Sequence, residues 1–393
     1  MKVPASIALI GGILIGLLSS CRPGNQEAQN TDLGEGGRSV STDGMNSVGG
    51  EGKQLFILSW SDYLVPDLLD QFQSETGCQL EVVEVENSEQ MLQAFESNPS
   101  AFDIVIGDDK TFSQFLELHL LKELDLARIQ SFSEVSPSFK RLYFDPENRY
   151  SVPYLWGSTV IAYRADRVRS VDDSWSMLWR SDLKGRMSML DEPEDLFFIT
   201  LLSMGVNPSN PTEDQVAEAG RRLVDAFVTQ DGKMFDYSSA LDGLEVGSHD
   251  LVITYSGDAT MRARANEEIR VARPIEGMPI WVDSFGISRE TVSSDLCHRF
   301  INFMCRPEVA AVTANELCYS SPNEGAKSLI SPDLLNDRAL YPEPELMAKS
   351  SYIRFSKESE PFVKKGVKLL FDELRRQGVN PDGVVAQNAV DQR

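Results

Sequence analysis

The sequence predicts an α/β fold in which mostly parallel strands are flanked by helices on both faces. Short apolar strands at 55–58, 80–85 and 103–106 alternate with two helical segments. Strands and helices that alternate in this order form parallel sheets, because each helix returns the chain across one face of the sheet. The globular part, from about residue 53 to residue 373, is long enough for two domains.

Helix boundaries in this region place two loops at strand ends. Pro66 opens the first helix at its preferred first position, and Gly77 ends it. Ser88 is expected to cap the second helix. In parallel sheets, ligands bind beyond the carboxyl ends of the strands. Residues 60–63 and 107–109 follow directly after strands and are therefore the first candidates for a binding site.

A second series of strands and helices follows. The remaining predicted strands are 160–163, 188–190, 251–255 and 280–284, and the remaining helices are 175–179, 213–227, 296–317 with a break at Pro307, and 363–374. Pro193 marks a helix start that places Glu192 and Asp195 one turn apart. The helix dipole alone explains acidic residues there, so this pair has a purely structural alternative. Tyr255 and Asp258 form an aromatic–carboxylate pair at another strand end.

The segment 280–284 offers half of a site for an organic cation. On a strand, Trp281 and Asp283 point to the same face because side chains alternate. The indole face attracts a cation by about 0.5–2 kcal/mol, and charge-assisted hydrogen bonds to the carboxylate contribute about 1.5–3 kcal/mol. The alternative is an edge-strand tryptophan that packs on the core beside a solvated aspartate.

The two ends of the sequence have the composition of segments outside the folded domain. Residues 1–20 resemble a signal peptide, with Lys2 before an apolar run too short to span a bilayer. Small residues before Cys21 resemble a bacterial lipobox, so Cys21 is the expected lipidation site. An ordinary signal peptide with an incidental cysteine is the alternative. Residues 21–52 are polar and read as a flexible tether, and 377–393 as a loose tail.

Composition excludes several functions. The net charge of −23, from 60 acidic and 37 basic residues, argues against a nucleic-acid partner. The three histidines fit no catalytic or zinc motif, and no phosphate-binding loop is present, so we expect no catalytic residues, metal or cofactor. Cys78, Cys297, Cys305 and Cys318 are expected to be buried free thiols.

The strand-end loops together suggest a polyamine site. Their aromatic residues are Trp60, Tyr63, Tyr255, Trp281 and Tyr319, and their carboxylates are Asp62, Asp108, Glu192, Asp195, Asp258 and Asp283. A polyamine is an apolar chain that ends in ammonium groups. Rings can cover its methylenes while carboxylates pair with the ammonium groups, which would be costly to bury alone.

The chain resembles the spermidine/putrescine-binding proteins of bacterial ABC importers. The resemblance extends from about residue 55 to 341, and its motifs are 59–63 (SWSDY), 151–157 (SVPYLWG), 281–284 (WVDS), 301–303 (INF) with Arg306-Pro307, 329–332 (LISP) and 340–342 (LYP). Each motif is weak alone, but their order and spacing are specific. The resemblance implies a two-lobed periplasmic-binding-protein fold of type II, with a ligand cleft between the lobes that closes by hinge motion.

The implied lobes are discontinuous in sequence. The N-terminal lobe comprises 53–157 and 283–326, and the C-terminal lobe comprises 158–282 and 327–376. The chain would cross between them near 154–159 and near 281–284. The family's ligand contacts fall on Trp60, Ser61, Tyr63, Glu192, Asp195, Tyr255, Asp258, Trp281, Asp283 and Tyr319. Asp62 and Asp108 are further candidate ligand contacts because they lie in the strand-end loops.

One departure from the family pattern concerns charge. A usually neutral run such as Ser-Thr-Tyr is replaced here by Asp108-Asp109-Lys110. A lysine in the cleft would compete with the ligand for carboxylates, or it would pair with Asp108 or Asp109 and point outward. We assign no binding role to Lys110 from sequence.

The implied protein is a monomeric, lipid-anchored, non-enzymatic binding protein of the periplasm that delivers putrescine or spermidine to a permease and its ATPase. A polyamine sensor of the same fold, a binder of another small cation, a carboxylate-dependent hydrolase and a ferric-ion binder are the alternatives. The last lacks the adjacent tyrosine pair that such sites favour.

Overall fold

The computed structural model describes residues 54–235 and 237–379. The predicted signal peptide, Cys21 and the tether lie outside the described residues, as does most of the predicted tail. Ten strands are present in the described part: β1 (Gln54–Trp60), β2 (Gln79–Val85), β3 (Ile104–Gly107), β4 (Val152–Arg164), β5 (Met187–Leu190), β6 (Lys233–Phe235), β7 (Leu251–Tyr255), β8 (Ile269–Ala272), β9 (Pro279–Ile287) and β10 (Ser351–Tyr352).

Helices connect and cover these strands. Within the same ranges they are α1 (Pro66–Thr76), α2 (Ser88–Ser97), α3 (Asp109–Glu117), α4 (Pro193–Ser203), α5 (Glu213–Val224), α6 (Tyr237–Val246), α7 (Ser256–Ala265), α8 (Ser294–Met304), α9 (Pro307–Leu317), α10 (Pro332–Leu335), α11 (Pro344–Met347) and α12 (Glu360–Arg376). None of these helices has the length and apolar character that a bilayer crossing requires.

The strands pair in the order β2-β1-β3-β9-β4-β7-β5-β6, with β10 beside β9 and β8 beside β4. The trios β2-β1-β3 and β7-β5-β6 are parallel, as predicted. The long strand β4 joins the two parts, because it pairs with β9 up to Ser158 and with β7 from Thr159 onward. In this central region β4 runs antiparallel to β7, β8 and β9, and β9 runs antiparallel to β3 and β4 but parallel to β10.

Each part of the sheet is buried on both faces. Ile57 and Ile104 pack on one face with α1 and α8, whereas Leu58 and Val105 pack on the other face with α2 and α3. The same alternation holds in β4 and β7, where Ile161 and Ile253 face α4 and α5 while their neighbours face α6 and α7. The period of two therefore places apolar side chains in two cores, one on each side of the sheet.

Local signals account for most helix boundaries, with two corrections. Pro66 begins α1, and Gly77 ends it with a positive φ of 70°, a conformation that glycine adopts without strain. The predicted cap at Ser88 is wrong: the side-chain oxygen of Asn87 accepts the hydrogen bond from the backbone N–H of Gln90 at 2.9 Å. The predicted helix at 175–179 is a short 3₁₀ helix, Trp175–Trp179.

The four cysteines of the described region are buried thiols outside any disulfide, as predicted. Cys297 and Cys305 sit on and just after α8, on the side that packs against the sheet. They serve as small apolar side chains in the core.

Candidate functional site

Asp283 lies at the centre of the candidate site. Its side chain is 4% exposed. Tyr63, in the loop after β1, donates a hydrogen bond of 2.5 Å to Oδ2, and the indole N–H of Trp60 donates one of 3.2 Å to Oδ1. These donors are neutral. Trp60 and Tyr63, predicted at the end of the first strand, thus meet Asp283 of the predicted 280–284 strand. The pairing of β1 with β3 and of β3 with β9 brings them together.

Burial sets the charge state of Asp283. Desolvation is the largest effect and raises the pKa of its carboxyl to about 7, against the hydrogen bonds from Tyr63 and Trp60 that lower it. The nearby carboxylates Asp108 and Asp109 raise the pKa further. A cation placed beside Asp283 would stabilise the ionised form and lower this pKa.

A series of four aromatic rings starts at Tyr63, the tyrosine bonded to this carboxylate. We call Tyr63, Tyr255, Trp281 and Tyr319 the four-ring cluster. The Trp281 ring meets Tyr255 at 5.8 Å and Tyr319 at 5.4 Å between centroids, both edge to face. Tyr319 meets Tyr63 at 5.9 Å in the same manner. Edge-to-face contacts hold each ring at a defined angle to its neighbours. The cluster joins side chains from four separate segments of the chain.

Two glycines make room for these rings. A Cβ atom on Gly157 of β4 would overlap the six-membered ring of Trp281. A Cβ on Gly257, in the first turn of α7, would overlap the ring of Tyr319. Glycine at these two positions therefore allows the rings to lie directly against the backbone.

Asp258 forms a second carboxylate position. The Tyr319 hydroxyl donates a 2.6 Å hydrogen bond to its Oδ2. Burial raises the pKa of Asp258 to about 6, although the hydrogen bond from Tyr319 and the charge of Arg262 lower it. Asp258 and Asp283 are thus both attached to the four-ring cluster through tyrosine hydroxyls.

The third carboxylate position already holds a cation. Nζ of Lys110 lies 2.9 Å from Oδ1 of Asp195 and 3.9 Å from Oε2 of Glu192. Lys110 belongs to α3, whereas the two carboxylates belong to the start of α4. Of the two arrangements considered for Lys110 from sequence, the outward one with Asp108 or Asp109 is wrong, because its ammonium pairs with the α4 carboxylates instead.

The electrostatics of this group favour a charged lysine. Desolvation alone would lower the pKa of Lys110, but the carboxylates of Asp195, Glu192 and Asp108 outweigh it and hold the pKa well above its usual value. Desolvation raises the pKa of Glu192 to about 7, although the charge of Lys110 opposes this increase. Lys110 therefore remains an ammonium at neutral pH.

The two aspartates before Lys110 have structural contacts. Oδ1 of Asp108 caps α3 by accepting the backbone N–H of Thr111 at 2.7 Å. Asp109 is 2% exposed and accepts hydrogen bonds from the Tyr143 hydroxyl at 2.8 Å and the backbone N–H of Val282 at 3.2 Å. Asp109 thereby links α3 to β9, the strand that carries Trp281 and Asp283.

Two predicted site residues lie apart from the cluster. The Ser61 hydroxyl donates a 2.9 Å hydrogen bond to Glu86. Asp62 is exposed, has a positive φ of 53°, and lines a separate surface pocket with Val65, Pro66 and Glu316. The end of β1 and the loop after it thus direct Trp60 and Tyr63 towards Asp283, and Ser61 and Asp62 away from it.

Sequence reasoning gave no site role to Lys110, Gly157, Gly257 and Tyr154. The Tyr154 hydroxyl donates a 3.0 Å hydrogen bond to the backbone carbonyl of Tyr63 and so supports the loop. The sequence signal available for Lys110 was a basic residue directly after Asp108 and Asp109 at a strand end. The glycine contacts depend on ring positions that the local sequence does not reveal.

Metal binding has no support in the part of the chain that is described. No group of three or more His, Cys, Asp or Glu side chains there has the spacing to hold an ion. The carboxylates of the site instead face aromatic rings, tyrosine hydroxyls and a lysine ammonium. This donor set suits an organic cation better than a metal.

Comparison with known proteins shows the family. The model of the bacterial extracellular solute-binding protein family matches residues 67–341. The spermidine/putrescine-binding periplasmic protein of Escherichia coli K12 is 29% identical over 301 residues, which cover 76% of this chain and 86% of that protein. The putrescine-binding periplasmic protein of the same organism is 26% identical over 325 residues, covering 78% and 87% respectively.

A solved structure extends the likeness to the whole fold. The spermidine/putrescine ABC transporter substrate-binding protein of Streptococcus pneumoniae superposes with a TM-score of 0.74 at 28% identity, covering 83% of this chain and 99% of that chain. The predicted two-lobed type II fold is thereby confirmed. The chain belongs to the bacterial extracellular solute-binding proteins, a family that binds solutes outside the cytoplasm and does not transform them.

Proposed function

We propose that this protein captures a polyamine, putrescine or spermidine, between its two lobes and delivers it to an ABC permease driven by its ATPase. The lobes are 53–157 with 283–326, and 158–282 with 327–376. The names of the relatives from Escherichia coli and Streptococcus pneumoniae support this ligand class and this partner.

The observation that carries the proposal is the environment of Asp283. A buried carboxylate whose hydrogen-bond donors are an indole and a phenol lacks a compensating charge in those contacts. Burial of an unpaired charge is costly, so a cationic ligand would gain a strong partner there. Trp281 precedes Asp283 on the same strand, β9. Its ring covers the ligand methylenes next to the ammonium group that Asp283 binds.

The division of roles follows from the contacts. Asp283 and Asp258 each take an ammonium group, and the four-ring cluster covers the carbon chain between them. Binding brings the lobes together through rearrangement near the partner change of β4 at Ser158 and Thr159. A micromolar affinity corresponds to about −8 kcal/mol, which a few such contacts can supply.

The remaining features of the proposal concern location. Cys21 carries the lipid after removal of residues 1–20, and 21–52 tether the binding domain to the membrane surface. We propose that the protein acts as a monomer in the periplasm, because the carboxylates and rings proposed to contact the ligand all belong to one chain.

Isothermal titration of the ligand-free purified protein tests the binding proposal. The panel is putrescine, cadaverine, spermidine, spermine, agmatine and arginine. One or two polyamines should bind one to one, and Asp283→Asn should weaken them at least about 30-fold, or 2 kcal/mol. Asp67→Asn, which removes an exposed carboxylate of α1, is the control and should bind as wild type does.

The outcomes separate binding from delivery. Absence of binding across the panel by folded protein, or wild-type affinity in Asp283→Asn, contradicts the proposed cleft chemistry. Deletion of the gene should remove polyamine uptake. Unchanged uptake with an altered polyamine-dependent response would instead favour a sensor that uses the same cleft.

A further inference from the structure

The ammonium of Lys110 occupies a position that connects the two proposed lobes. It extends from α3, which follows β3, to the first turn of α4, which follows β5. Asp195, its closer partner, is 3% exposed, whereas about a quarter of the lysine side chain, 27%, is exposed. The contact joins residues 85 positions apart in sequence.

This ion pair borders the four-ring cluster. The phenol of Tyr255 lies within electrostatic range of Glu192, Asp195 and Lys110. The ring of Tyr255 also meets Trp281 edge to face at 5.8 Å. The lysine ammonium and the proposed ligand position therefore both border the ring of Tyr255.

Chemically, a lysine side chain is a tethered alkylammonium. Its four methylenes and terminal ammonium reproduce one end of a polyamine. We propose that Lys110 acts as a built-in ammonium that fills the Glu192/Asp195 position, so that the cleft selects polyamines with two ammonium groups over those with three or four. This inference rests on the proposed function and specifies its substrate class.

Charge matching gives the reason for this selection. The site has three carboxylate positions: Asp283, Asp258 and the Glu192/Asp195 pair. Lys110 occupies the third position, where its ammonium contacts both carboxyls of the pair. Asp283 and Asp258 are then the positions left for the ligand. A third ammonium would have to displace Lys110 or remain unpaired in a desolvated site, and either event costs affinity.

Lys110 is the residue to change, and two further variants act as controls. Lys110→Gln keeps most of the side-chain length and removes the charge. Lys110→Arg keeps the charge and the ion pair. Lys368→Gln removes an exposed ammonium that pairs with Asp372 on α12, far along the sequence from the cleft residues. Putrescine and spermidine affinities are measured for all four proteins by titration calorimetry.

The expected pattern is a change in the ratio of affinities. Wild-type protein should prefer putrescine. Lys110→Gln should raise the affinity for spermidine relative to putrescine by at least about tenfold, because the third ammonium takes the carboxylates that lysine leaves. Lys110→Arg and Lys368→Gln should keep the wild-type order. A ratio in Lys110→Gln that matches the wild-type ratio overturns the inference.

A ligand-free measurement separates this inference from the proposed function. If neither putrescine nor spermidine binds to any variant, the proposed function fails, and thermal unfolding of Lys110→Gln, Asp195→Asn and the double variant decides the role of Lys110. A double variant that loses less in Tm than the sum of the two single losses supports Lys110 as the cation at this position. If the Tm loss of the double variant equals the sum of the two single losses, Lys110 is not the cation that pairs with Asp195, and the inference is overturned.

Discussion

The hydroxyl of Tyr63 donates a 2.5 Å hydrogen bond to Oδ2 of Asp283, a residue 220 positions later in the chain. This contact links the loop after β1 to β9, the strand that also carries Trp281. It holds the buried carboxylate in place and lowers its pKa against the effect of desolvation.

Tyr63→Phe should raise the pKa of Asp283 further, because the hydrogen bond that favours the ionised form is lost. We expect polyamine affinity at pH 7 to fall several-fold and the free energy of unfolding to fall by about 1–2 kcal/mol. Calorimetry and chemical denaturation measure the two effects. Tyr150→Phe, at a partly buried tyrosine outside the cluster, serves as the control. Equal affinity in Tyr63→Phe and wild type would contradict the role given to this hydroxyl.

Polyamine affinity should increase with pH between about pH 5 and pH 8. In the ligand-free protein the pKa of Asp283 is about 7 and that of Asp258 about 6, so both carboxyls are largely protonated at pH 5. An ammonium binds the ionised form, so binding expels protons, and affinity falls by up to about tenfold per pH unit for each group below its pKa.

Titrations in buffers of different ionisation enthalpy measure this proton release directly. The released fraction at pH 6 should be large, and at pH 8.5 it should approach zero. The closest neighbours that could shift this profile are Tyr63, Asp108 and Asp109 around Asp283, and Tyr319 and Arg262 around Asp258. A pH-independent affinity over this range would show that neither carboxyl meets the ligand.

Gly157→Ala should disrupt the site through Trp281. The added Cβ overlaps the indole ring, so either the ring or β4 must move. We expect a loss of about 1–3 kcal/mol in the free energy of unfolding and at least about tenfold in polyamine affinity. Gly220→Ala in α5 is the matched control, since its Cβ would lie 3.7 Å from the Phe197 ring in ordinary contact. Wild-type binding in Gly157→Ala would mean that the ring position is unimportant.

The cysteines of the described domain should resist thiol reagents in the native protein. Burial raises the pKa of Cys305 to about 12 and that of Cys297 and Cys78 above the usual value. Alkylation followed by peptide mapping should label Cys78, Cys297, Cys305 and Cys318 only after unfolding. Native labelling of Cys305 at the rate of an exposed thiol would place it outside the core.

The spacing of apolar residues and the positions of proline and glycine predicted much of the fold. Apolar strands with a period of two, together with Pro66 and Gly77, located the first three strands and α1 nearly to the residue. Capping was less certain, because Asn87 and Ser88 are both competent caps and the backbone geometry decides which one accepts the bond. Sequence motifs also identified Trp281, Asp283, Tyr255 and Asp258, which do converge in the structure.

The sequence by itself determined the α/β class, the strand-end location of the candidate site and the aromatic and acidic residue types in it, because these depend on local pattern and composition. Tertiary structure decided the partners. Lys110 meets Asp195, Tyr63 meets Asp283 and Tyr319 meets Asp258, each over 61 or more positions of sequence. Such pairs depend on how helices and strands pack around β4 and β9. The residues next to Lys110, Tyr63 or Tyr319 in sequence do not reveal which distant side chain will lie beside it.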